Sequence, residues 1–112
     1  MGIPDNSRSK YEAVGDIADD VLELMEELYQ SGFDTVHDST IQDMEKAAIK
    51  TKQYGMKHLS ELLDKLTNEI SAGRHQMERN TAQMVELYTE INEYLYLCRQ
   101  KVTYDQGREQ YV

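Results

Sequence analysis

One proline in 112 residues, Pro4, is the feature that most restricts this chain. Proline removes a backbone donor and clashes with the preceding turn, so its absence after position 4 leaves every later segment free to be helical. The apolar residues are mainly Leu, Met, Ala and Ile, with no Trp and one Phe. Such residues favour helix over strand, and the reading is an all-α domain. A chain of this length holds one modest core, over about residues 9–104, with a short polar leader at 1–8 and a polar tail at 105–112.

Spacing divides the chain. Ser9 and Glu12 form a capping-box pattern, in which the Ser hydroxyl takes an amide three residues on and the Glu reaches back. From there Tyr11, Val14, Ala18, Val21, Met25 and Leu28 recur three and four apart, broadened by Ile17, Leu22, Leu24 and Tyr29. This first helix contains Gly15 and stops at Ser31-Gly32-Phe33, where Gly32 can turn left-handed and Phe33 can fold back onto the last turn. Ser39 and Gln42 form a second capping box. Ile41, Met44, Ala47, Ala48 and Thr51 follow as a thin stripe of small residues, and Met56, Leu59, Leu62, Leu63, Leu66 and Ile70 as a rich one.

Between those stripes lies TKQYGMKHL, Thr51 to Leu59, with Gly55 at its centre. The apolar phase runs unbroken across it, which permits one helix of about 31 residues, whereas ordinary helix lengths favour two. The phrase echoes YQSGFDTV at Tyr29 to Val36, where a helix stop is clear. Gly55 is therefore read as a break or sharp kink, with Met56 folding back and a third helix restarting near Lys57. Gly73 is the next stop.

Met77, Thr81, Met84, Tyr88, Ile91, Leu95, Cys98 and Val102 then repeat in strict four-three order, flanked by Val85, Leu87, Tyr94 and Leu97. That face is too wide for one neighbouring helix, so the last helix is either central or covered by a second subunit. The expected architecture is a helical bundle of three long or four shorter helices, over about 10–31, 40–54, 57–72 and 75–103. Gly32, Gly55 and Gly73 are its candidate hinges or turns.

The formal net charge of −9 opposes attraction to nucleic-acid phosphates and anionic lipid, so neither partner is expected. Acids crowd Asp16 to Asp34, and lysines crowd Lys46 to Lys57. Adjacent first and second helices would bring these faces together. The lone Cys98 forms no intramolecular disulfide and fits a reducing cytoplasm as a small buried hydrophobe. No run approaches membrane-spanning length, and no signal-peptide pattern opens the chain. The start MGIPDN has the Gly2 of a myristoylation signal but Asn6 where Ser or Thr is wanted.

Chemistry finds no carrier. His58 with Glu61 and His75 with Glu78 have a spacing used in di-iron bundles, but those need further glutamates from facing helices. The acids Asp16, Asp19, Asp20 and Glu23 lack the Gly-centred loop of an EF-hand. No phosphate loop, Cys pair or Ser-His-acid arrangement is present, and no catalytic, cofactor-binding or metal residue is assigned. Eight tyrosines suit interface rims or the margins of a Trp-free core, and six methionines suit core filling.

The order Leu28 to Gly32-Phe33, then Ala47-Ala48, then Tyr54-Gly55-Met56 with Leu59, Leu62, Leu63 and Leu66, resembles helical regions of bacterial SWIM zinc-finger proteins. That resemblance spans about half the chain and implies a helix, a Gly turn and another helix. It implies no metal or nucleic-acid role, because the zinc-binding cluster is absent. Small acidic secreted hairpins with a Trp-x-Gly turn do not fit, since there is no Trp and Tyr104 is followed at the fourth position by Arg108.

The functional expectation is a non-enzymatic protein-interaction or self-associating module, working as a homodimer or on another protein. Tyr88, Ile91, Tyr94, Leu95 and Cys98 would form its interface. A metal-dependent or other enzyme in a helical bundle is one alternative, and a small acidic chaperone or antitoxin-like binder of a basic partner is another.

Overall fold

A computed structural model of the chain describes residues 6–33, 35–73 and 81–110, with side chains over 12–33, 35–73 and 81–100. Among these residues there are four helices: α1 (Asn6–Ser31), α2 (Asp38–Gln53), α3 (Lys57–Gly73) and α4 (Thr81–Gln110). The all-α expectation holds, in its four-helix form. Residues 74–80, and with them His75, Met77 and Glu78, lie outside the described residues.

Gly55 separates α2 from α3. Its φ of +80° is left-handed, and the Met56 amide donates to Thr51 O at 2.8 Å while the Gly55 amide donates to Lys52 O at 3.1 Å. These paired bonds are the Schellman closure, which satisfies the last carbonyls of α2 and ends its helical ladder. Met56 folds inward and is buried. At Gly32 the φ is +77°, and its amide donates to Leu28 O at 2.8 Å where α1 ends. Phe33 packs against the core beyond it, its ring edge-on to Tyr88 at 6.0 Å. Gly73 is the last residue of α3.

The expected N-terminal caps need correction. α1 starts at Asn6, so Ser9 stands inside its first turn. α2 starts at Asp38 after an extended His37, whose carbonyl accepts from the Thr40 and Ile41 amides, and no side chain caps it. What fixes this end is a hydrophobic staple: Val36 precedes the cap, Ile41 is the fourth helical residue, and both join the core. Asp38 in the first turn also complements the helix dipole. α4 continues to Gln110, beyond the expected end near 103.

Each helix packs on its neighbours in the order α1, α2, α3, α4 and back to α1. α4 reaches α1 through Tyr88 to Met25 and, farther along, Arg99 to Asp19, so the two run antiparallel. α2 and α3 form an antiparallel hairpin about Gly55, in which Ser60 Oγ donates to Ala48 O at 2.7 Å. Small side chains at Ala48, Thr51 and Ser60 permit that approach, as the thin stripe implied. The hairpin helices, of 16 and 17 residues, span about 25 Å each, against roughly 40–45 Å for α1 and α4.

One core runs through all four helices. Val21, Met25, Leu28, Met44, Leu59, Leu63, Leu66, Met84, Ile91 and Leu95 are its largest fully enclosed members together with Ile70. The part of the α4 stripe from Met84 to Cys98 is therefore its inner face. Tyr29, read as part of the α1 stripe, is instead 79% exposed.

Candidate interaction surface

The five residues expected to meet a partner divide by depth. Ile91 and Leu95 are buried in the chain's own core, and Tyr88, Tyr94 and Cys98 are half-buried against it. They do not form an exposed patch, and a partner could reach Ile91 or Leu95 only by opening the bundle. The sequence showed that the α4 face was wide. It could not show that α1 and α3 together cover that face.

Tyr88 is fixed from two sides. Its hydroxyl donates to Met25 O at 3.3 Å, and its ring meets Phe33 at an interplanar angle of 78°. Tyr94 lies on the α3 side of α4, its ring 5.8 Å from that of His58. Partial burial disfavours the phenolate, and a charged Cys98 thiol one turn on would repel it, so the Tyr94 hydroxyl titrates above the ordinary 10.0. Among the described residues no group of three or more His, Cys, Asp or Glu could hold a metal ion. His58 and Glu61 are both exposed.

What α4 leaves uncovered is a different set. Val85, Tyr96 and Leu97 are 48%, 64% and 62% exposed. Thr89, Asn92, Glu93, Tyr96 and Leu97 line a shallow hollow of ≈ 450 Å³. Gln100 Nε2 donates to the Tyr96 hydroxyl at 2.8 Å, which restrains the ring on the surface. Two of these residues, Val85 and Leu97, were the signal: they made the apolar flank wider than the inner face could absorb.

A second concavity among the described residues, ≈ 420 Å³, lies between α1 and α2. The acid and lysine faces do come together here, with Asp20, Glu23 and Glu27 on one wall and Lys46 and Lys50 on the other. Its floor residues Ile17, Val21 and Leu24 are already buried, so the groove offers little apolar area to an occupant. Glu27 accepts from Thr40 Oγ1 across it at 3.3 Å. Among the described residues no helix is long and apolar enough to cross a membrane. No family model, curated protein or solved structure matches the chain.

Proposed function

We propose that this chain is a non-enzymatic protein-interaction module whose contact is made by the outer face of α4. The observation that supports it is the exposure of Val85, Tyr96 and Leu97 on a helix whose opposite face is already in the core. Tyr96 and Leu97 line the hollow and Val85 is exposed three turns before them, and exposed apolar side chains of this kind are what a partner surface covers. Tyrosine suits the role because its ring buries area while its hydroxyl stays wet. The earlier interface set acts beneath this surface: Ile91 and Leu95 hold α4 in place, so the partner meets a rigid helix.

A photo-crosslinking residue at position 97, compared with one at the exposed position 50 on α2, tests this in the native host. A discrete adduct from position 97 and none from position 50 is the expected pattern, whether the adduct is another protein or a second copy. Equal labelling from both positions, or none from position 97, would remove the reading.

A further inference from the structure

Along α4, Ala82, Val85, Thr89, Asn92 and Tyr96 recur at a three-four-three-four spacing, the repeat of a two-helix seam. All are exposed except Asn92, which is half-buried. This row lies next to the side of α4 turned toward α1, since Tyr88 and Arg99, which touch α1, both stand along one edge of it on the helical wheel. α1 contributes Tyr29, one turn beyond the Met25 that Tyr88 reaches, and half-buried Leu22 one turn before it. The outward side of α4 beside α1 thus carries a mixed row, with Val85 and Tyr96 its exposed large apolar members and Thr89 and Asn92 between them.

Both shoulders of that row are acidic. Glu86, Glu90 and Glu93 stand on the outer side of α4, and Asp19 and Glu26 on the α1 side, all exposed. Arg99 is held by Asp19 at 2.8 Å. A second copy docking here would oppose acid rows to acid rows across a symmetric interface, between chains each of net charge −9. A helix with an apolar ridge and Lys or Arg on both shoulders satisfies every group instead. We infer that the α1–α4 seam docks an amphipathic helix of a basic partner, its ridge on Val85, Thr89 and Tyr96 and its cations beside Glu26, Glu86 and Glu93. The inference rests on the interaction-module reading and adds to it the partner's chemistry.

The probe is a synthetic four-turn peptide with Leu at three-four spacing and Lys at the shoulder positions, paired with a twin carrying Glu for every Lys. Fluorescence anisotropy with the full chain should show binding of the Lys peptide alone, weakening as salt rises from about 50 to 500 mM. The double change Val85→Ser with Tyr96→Ser leaves the charge unaltered and should weaken binding at least about tenfold. Glu86→Lys with Glu93→Lys should transfer preference to the Glu peptide. Equal binding of the Lys peptide by the Val85→Ser, Tyr96→Ser protein would overturn the inference, because the attraction would then be general acidity. If no peptide binds and the wild type sediments as a dimer that Tyr96→Ser disperses, the module reading stands and the occupant is a second copy. With neither peptide binding nor self-association, this inference falls, and the crosslinking pattern at positions 97 and 50 decides the module reading by itself.

Discussion

The Tyr88 hydroxyl donates to the Met25 carbonyl at 3.3 Å, a bond between residues 63 apart in the chain that ties α4 to α1. The same ring receives the edge contact from Phe33, so one side chain joins the end of α1, the following turn and α4. Tyr88→Phe keeps the ring and removes only the hydrogen bond, and should cost about 0.5–1 kcal/mol. Tyr88→Ala also loses the aromatic pair and much of the buried ring, and should cost about 3 kcal/mol. Urea unfolding of both variants checks the ordering. Equal losses would mean that the ring contributes nothing beyond the hydroxyl.

Gly15 and Gly55 should respond oppositely to alanine. Gly15 lies inside α1, and a methyl group there would meet nothing within 4 Å. Gly15→Ala therefore gains helix propensity and restricts the unfolded chain, raising stability by about 0.5–1 kcal/mol. A Cβ at Gly55 also has open space, but its φ of +80° is left-handed. Gly55→Ala should lose about 1 kcal/mol, because strain rather than crowding decides there. Thermal melting of the two variants gives the signs directly.

The same pair shows what the sequence could and could not disclose. Periodicity alone was ambiguous at Gly55, since helices on both sides of a Schellman turn kept nearly the same apolar phase. The glycine followed by a large apolar residue carried the answer, because Met56 had to fold inward. At α2 the capping-box pattern pointed to Ser39, yet the operative signal was the Val36 and Ile41 spacing, a staple that needs no side-chain cap. On α4 the inner row from Met84 to Leu95 was legible as a heptad stripe. That α1 and α3 cover it was not, because periodicity identifies a buried face without naming what buries it.

Close approach of α2 and α3 leads to a third expectation. Ala48 is 2% exposed, and its carbonyl accepts from Ser60 Oγ at 2.7 Å and from Thr51 Oγ1 at 2.9 Å. Ala48→Leu adds volume where the two backbones meet and should cost about 2–3 kcal/mol through overpacking. Ser60→Ala removes one donor while Thr51 still serves the carbonyl, and should cost about 1 kcal/mol. Calorimetry of the two proteins distinguishes them, and a harmless Ala48→Leu would show that the hairpin is looser than its hydrogen bonds imply.

Tyr94 gives the bundle an alkaline limit. Burial raises its hydroxyl above 10.0, and the nearby Cys98 adds to the shift. The sign follows from linkage: the unfolded phenol loses its proton first, so the stabilisation is complete below pH 10.0 and declines as pH rises toward the folded value. Tyr94→Phe should flatten that alkaline decline while leaving stability near neutrality little changed. Cys98→Ser should reduce it only in part, since desolvation is the larger cause. Denaturant midpoints taken from neutral pH into the alkaline range, with absorbance at the phenolate band as a second readout, measure both effects. An unchanged decline in Tyr94→Phe would assign it to other groups.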